Sequence, residues 1–246
     1  MDRTTKKQIL SNLCFIVVFS LVFAIYCGVT TMVFDKTQDR NDNREADASM
    51  PSKLIVLDAG HGGEDGGTVG TNGVYEKVLN LDMSEALETY LKFSGFEVVQ
   101  TRTEDVLLYD RGVDFKGKKK LLDLAARYKI ADDLMPDLFI SIHMNAFPDG
   151  KYSGLTVYYS PNNDKSFDAA KMIRDGVIEK MQPDNKRELK KAGSNIYLLN
   201  RLHCPSVLVE CGFLSNEEEC AKLATEEYRH RLSLVLFSSI SSFFDE

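Results

Sequence analysis

Hydrophobic positions follow two regimes along the 246-residue chain. Up to residue 34 they form one long apolar run. From Lys53 onward they come in short clusters separated by polar, glycine-containing segments. Between Lys7 and Asp35 no residue is charged, and the densest stretch is Leu13–Val29 (LCFIVVFSLVFAIYCGV). A helix over the uncharged segment would be about 40 Å long, against about 30 Å of hydrocarbon in a bilayer, so the pattern predicts a tilted spanning helix. Ala24-Ile25-Tyr26-Cys27 puts a bulky tyrosine where cleavage or lipid attachment needs a small residue, so the expectation is an uncleaved anchor. The chain thus divides into a short basic tail (1–8), a transmembrane anchor (9–34), a flexible polar linker (35–52) and one folded domain (53–246).

In that domain the pattern predicts strands at Leu54–Leu57, Phe96–Thr101, Leu138–Ile142, Leu155–Tyr159, Ile196–Leu199 and Val207–Val209. It predicts helices over Tyr75–Ser94, closed by Gly95, over Lys118–Asp132 and over Ser166–Met181, and two more at the C-terminal end. Ser215 with Glu218 fits a capping box for the first of these, and Thr225 can cap the second. Strand–helix alternation of this kind argues an α/β sheet covered by helices. Leu232–Phe244 is apolar but contains five serines and is short for a span, so it is expected to dock on the core.

Charge narrows the function classes. Lys and Arg total 30 against 37 Asp and Glu, and residues 1–52 hold six of each sign, so the whole net charge of −7 belongs to the folded domain. That balance disfavours a nucleic-acid binder, which needs a positive face toward phosphates. Lys and Arg flank the apolar run equally on both sides, so the positive-inside rule leaves its orientation open. The five cysteines (Cys14, Cys27, Cys204, Cys211 and Cys220) show neither zinc-knuckle spacing nor even pairing.

The candidate chemistry comes from few residues. His61 follows the first strand in Leu57-Asp58-Ala59-Gly60-His61-Gly62-Gly63, and His143 closes the strand at Leu138–Ile142. Both leave carboxyl ends of strands, the edge where open α/β sheets bind ligands. His203 and His230 read as surface residues. Glu210 ends an apolar strand, where an acid is costly unless paired. Glu76 starts a helix, where it is either a helix-dipole acid or the head of the core-facing stripe. Two histidines and one carboxylate make the ligand set of an open catalytic zinc site, with a second carboxylate free to act on water. The loop Gly60–Gly73 lacks the G-K-[ST] of a phosphate cradle, so no nucleotide site is expected.

These residues, in order, resemble the zinc-dependent N-acetylmuramoyl-L-alanine amidases. The resemblance is carried by Leu57–Gly63, Glu76, Thr101-Arg102, Ser141-Ile142-His143-Met144-Asn145-Ala146, Tyr197-Leu198-Leu199 and Val209–Asn216. It implies a mixed, largely parallel central sheet flanked by helices, His61, Glu76 and His143 as Zn²⁺ ligands, and Glu210 as catalytic acid/base. It also implies peptidoglycan as substrate and an extracytoplasmic domain, which would settle the orientation of the anchor. A lone domain behind such an anchor is similar to sporulation and germination members that trim spore cortex, which would place it in the forespore intermembrane space. Asp58 has two readings: it orients a ligand histidine, or it forms the turn.

Some members of that family insert an occluding helix after the second histidine motif. Here only Phe147 to Ser153 intervenes, too short for such a cover. Control by expression or by a regulatory protein partner is therefore expected. Two rival readings use the same residues: a zinc peptidase acting on the stem peptide, and a non-catalytic wall-binding protein with a structural metal.

Overall fold

The computed structural model describes residues 52–110, 112 and 116–245. The anchor at 9–34 and all of the linker but Ser52 lie outside the described residues. Among the described residues no helix is long and apolar enough to cross a membrane. The elements in chain order are β1 (Leu54–Ala59), α1 (Glu76–Phe93), β2 (Glu97–Gln100), α2 (Lys119–Leu134), β3 (Leu138–Asn145), β4 (Thr156–Tyr159), α3 (Lys165–Lys180), β5 (Lys190–Lys191), β6 (Ser206–Phe213), α4 (Glu217–Leu223) and α5 (Glu226–Asp245).

The strands form one sheet in the order β2-β1-β3-β6-β4-β5. Strands β2, β1, β3 and β6 run parallel, whereas β4 is antiparallel to β6 and carries β5 at the edge. The sheet is therefore mixed and largely parallel. Side chains alternate across it. Ile55, Leu57, Ile140, Ile142, Val207 and Val209 face one way, into a core completed by α1, α3 and α5. Val56 and Phe139 face the other way, onto Ala131 of α2 and the Leu198-Leu199-Leu202 segment. Asp58, Ser141, His143 and Glu210 share the parity of this second face.

The position of α1 matters most for the site. Leu79, Met83, Leu87 and Leu91 recur at helical spacing and are buried. Each contributes about 1.5–3 kcal/mol through burial, so truncating Met83 or Leu87 to Ala would loosen the seating of the helix. The helix ends because Gly95 adopts φ +92, which lets Gly95 and Phe96 N–H close back onto the carbonyls of Lys92 and Leu91. With both the stripe and the stop defined, Glu76 is held at the first position over the carboxyl edge of the sheet.

Three expectations are corrected. Ile196–Leu199 is not a strand but a run of turns, in which Asn200 and Leu202 N–H donate to the carbonyls of Ile196 and Leu198. Leu198 and Leu199 are both buried, which consecutive positions of a strand facing one core could not achieve. The last parallel strand does not stop at Val209. It runs on to Phe213 beside β3, across a register irregularity between His143 and Asn145. The cap of α4 is Asn216, whose side chain accepts from Glu219 N–H, while Ser215 Oγ accepts from Phe147 N–H.

Candidate metal centre

Strand β1 delivers its chain end to the rim under unusual backbone control. At Gly60 an added Cβ would sit 2.2–2.6 Å from ring atoms of His143, so only glycine lets the two strands' residues approach this closely. The next residue, His61, has φ +63, a left-handed conformation that costs a side-chain-bearing residue about 1–2 kcal/mol. Its neighbourhood compensates. Arg127 Nη1 donates to Ala59 O at 2.7 Å and Arg127 Nη2 to His61 O at 2.6 Å. Arg102 Nε donates to Ala59 O at 2.7 Å and its Nη2 to Gly60 O at 3.0 Å.

Glu76 is the hub of the site. Its Oε1 lies 3.2 Å from His61 Nε2 and 3.0 Å from His143 Nδ1, and accepts from Met144 N–H at 3.1 Å. Its Oε2 accepts from Thr68 N–H at 2.9 Å. Burial alone would raise the carboxyl, but the two imidazoles and the hydrogen bonds outweigh it and hold it far below the usual carboxylate range. The glycine loop wraps closely here, since a Cβ at Gly67, where φ is +66, would fall 2.5 Å from Glu76 Oε2 and 2.8 Å from His61 Cδ2.

One donor atom from each of His61, Glu76 and His143 can be chosen so that all three lie within 4.8 Å of one another. A divalent ion with bonds of about 2.0–2.1 Å in tetrahedral array separates its ligand atoms by about 3.3 Å. The two nitrogen–oxygen separations at Glu76 are close to that edge length. Two imidazoles and an ionised carboxylate also form a catalytic zinc donor set. The residues fit the metal. Burial lowers the affinity of His61 for a proton, but Asp65 and Glu76 reverse this and push its pKa up to about 9. Asp65 Oδ2 is 2.9 Å from His61 Nδ1, close enough for ionic attraction though out of hydrogen-bond alignment.

Glu210 stands opposite His143 in the β3–β6 register. It lines the same cavity of about 400 Å³ as His61, Glu76 and His143, together with Asn145 and Ala146. Its Oε2 is enclosed and has no hydrogen-bond partner. Burial, with the Glu76 charge adding to it against the pull of His143, pushes its pKa up to about 7. A smaller cavity of about 200 Å³ adjoins this one and shares His61, Asp65, Lys120, His143 and Glu210 with it.

Sequence reasoning named four residues that meet in this cavity, and the remaining candidate behaves differently. The Asp58 carboxylate is taken up not by a histidine ring but by Thr101 Oγ1 at 2.7 Å, Ser141 Oγ at 2.6 Å and Arg127 Nη1 at 2.7 Å. Burial opposes its ionisation, yet Arg127 and the two hydroxyls hold its pKa low. Asp65 and Arg127 were not singled out from the sequence. The spacing of Asp65 four residues after His61 in a glycine loop was a weak available signal. Asp123 and Arg127 lie one helical turn apart on α2 and are both buried.

Residues 55–242 match the family model described as N-acetylmuramoyl-L-alanine amidase. Among curated relatives, the germination-specific N-acetylmuramoyl-L-alanine amidase of Bacillus subtilis is 32% identical over 213 residues, covering 86% of this chain and 89% of the relative. Among solved structures, the CwlD amidase of Clostridioides difficile in complex with the GerS lipoprotein superposes with a TM-score of 0.75 at 34% identity, covering 79% of this chain and 99% of that one. The catalytic domain of CwlV, an N-acetylmuramoyl-L-alanine amidase from Bacillus (Paenibacillus) polymyxa var. colistinus, gives 0.65 at 30% identity, covering 78% and 98%.

Proposed function

Since the chain belongs to the N-acetylmuramoyl-L-alanine amidase family, we propose that it hydrolyses the amide between N-acetylmuramic acid and L-alanine in peptidoglycan with one Zn²⁺ held by His61, Glu76 and His143. The observation that carries this reading is the meeting of those three donors with the unpartnered carboxylate of Glu210 in one cavity.

When bound, zinc would supply Lewis-acid polarisation of the scissile carbonyl and a water of lowered pKa. The protein's own share falls to Glu210. Its carboxylate, with one oxygen free of partners in the shared cavity, can take a proton from the attacking water and return it to the departing amine. Glu76, with both oxygens already engaged by backbone N–H groups and imidazoles, suits a fixed ligand and not a proton carrier. Asp65 lies 2.9 Å from His61 Nδ1, the ring nitrogen turned away from Glu76, and the glycines of the Gly60–Gly73 loop let it wrap closely round both ligands.

The biological setting extends this proposal. The germination-specific Bacillus relative supports cortex modification linked to germination or sporulation. The apolar run at 9–34 supports a membrane anchor, with the domain on the peptidoglycan side. The CwlD structure contains a lipoprotein, and the loop from Phe147 to Ser153 has no helix that could cover the cleft. Both support control by a protein partner.

The test is mass spectrometry of purified peptidoglycan digested by the zinc-loaded full-length chain in detergent. Amidase action liberates peptides with a free L-alanine amine and leaves unsubstituted lactyl groups on the glycan. New carboxylates within the stem peptide would instead identify a peptidase, and an undigested but sedimenting complex would identify a binding protein.

A further inference from the structure

Arg127 is nearly inaccessible, at 1% exposure, in a side of the sheet otherwise packed with Val56, Phe139 and leucines. A charge so placed needs partners, and all three guanidinium nitrogens have them. Nε donates to Asp123 Oδ2 at 2.8 Å and Nη1 to Asp58 Oδ1 at 2.7 Å, so two carboxylates fix the guanidinium plane. Two further bonds go to backbone. Nη1 reaches Ala59 O and Nη2 reaches His61 O. Asp58 is itself immobilised by Thr101 and Ser141, one on each flanking segment of β1.

The target of this apparatus is the residue whose backbone is least able to hold its own conformation. His61 sits in the left-handed region without being glycine. It lies between Gly60 and Gly62, which impose little restraint. Its imidazole must nonetheless keep Nε2 near Glu76 Oε1. A flexible glycine loop and a precise ligand position are in conflict, and a rigid donor on the His61 carbonyl resolves it. The planar fork reaches four acceptors, the carbonyls of residues 59 and 61 and the two carboxylates; an ammonium has three donors and cannot serve all four.

We propose that Arg127, clamped by Asp58 and Asp123, is a positioning residue that holds the His61 backbone in its left-handed conformation and so presets the metal ligand set. This rests on the metal reading given above. It also assigns Asp58 its part in the site, through Arg127 and not through a histidine ring.

The experiment compares full-length wild type, Arg127→Lys, Asp123→Asn and Ile173→Ala in detergent. Arg127→Lys keeps a cation for Asp58 but loses the fork, Asp123→Asn loosens the fork while its remaining oxygen can still accept from Leu108 N–H, and Ile173→Ala, on α3, destabilises the core away from the site. Two quantities are measured: Zn²⁺ affinity by competition with a chromophoric chelator, and the visible spectrum of the Co²⁺ form. Circular dichroism reports folding.

Arg127→Lys should lose about 10–100-fold in metal affinity, the range for groups that orient metal ligands, and alter the Co²⁺ spectrum. Asp123→Asn should lose several-fold. Ile173→Ala should lower the melting temperature yet keep wild-type metal affinity. Wild-type affinity and spectrum in folded Arg127→Lys would overturn the proposal. If Arg127→Lys does not fold, Asp123→Asn decides by the same two readings. An equal loss of affinity in Ile173→Ala would also overturn it, by tracing the effect to general destabilisation. Failure of wild type itself to bind zinc would strike the metal reading, a separate outcome.

Discussion

His143 and Glu210 are Cα partners on the parallel strands β3 and β6, so an imidazole and an enclosed carboxylate stand side by side at one rim. Both strands continue past the pair, to Asn145 and Phe213. Backbone pairing on each side keeps the separation of the two groups fixed, and fixed separation is what a proton carrier beside a metal ligand needs.

Glu210→Gln should therefore remove proton transfer while preserving shape. Turnover of peptidoglycan is expected to fall about 10²–10⁴-fold, with zinc retained by metal analysis of the purified variant. If Glu210→Gln lost zinc while Glu76→Gln kept zinc but lost activity, the two glutamates would have to exchange roles.

The three proposed ligands should fail differently. His143→Ala and His61→Ala are expected to lose zinc with modest change in the stability of the metal-free protein. Glu76→Ala should lose zinc and also destabilise by about 1–3 kcal/mol, because the buried Met144 N–H is left without its acceptor. Chemical denaturation of chelator-treated variants separates the cases.

Chelation should abolish turnover, and added Zn²⁺ should restore it. It should also lower thermal stability, since a ligand at 100 times its dissociation constant stabilises the native state by about 2.7 kcal/mol. A melting temperature indifferent to zinc would count against a resident ion.

Two carboxyls set opposite pH dependences for the metal-free protein. Glu210 is pushed up to about 7 from an ordinary 4.5, so between those values the native state keeps a proton that the unfolded chain has released. Stability from this group falls as pH rises across that window. Asp58 is held low by Arg127 against its burial. The unfolded chain then takes up the proton first, and its stabilisation, present above the ordinary aspartate range, is lost on acidification. Urea unfolding across pH 3–8 should show Glu210→Gln flattening the upper limb and Asp58→Asn the acid limb.

Two glycines in the same loop offer a contrast. Gly67 and Gly73 both have positive φ, but a Cβ at Gly73 meets nothing within 4 Å, whereas at Gly67 it meets Glu76 and His61. Alanine at either should cost about 1 kcal/mol in backbone strain. Only Gly67→Ala should also weaken metal binding, by tenfold or more in a zinc competition titration.

Periodicity alone located β1, β3 and all the long helices to within a few residues, because those elements bury a continuous stripe or both faces and so must show it in the order of their side chains. The ordered motifs around His61, Glu76, His143 and Glu210 marked the four side chains that meet in one cavity, because few residue types can ligate a metal or carry a proton. What the chain order could not express was distance. Asp123 and Arg127 have the spacing of an exposed helical pair, and only the packing of α2 over β1 turns them inward to Asp58 and His61. Leu198 and Leu199 read as strand until the sheet supplied no partner for them. The continuation of β6 past Glu210 depends on pairing with a strand more than sixty residues away in the chain. Local hydrophobic order decided which elements form; long-range pairing and burial decided which charged groups had to find one another.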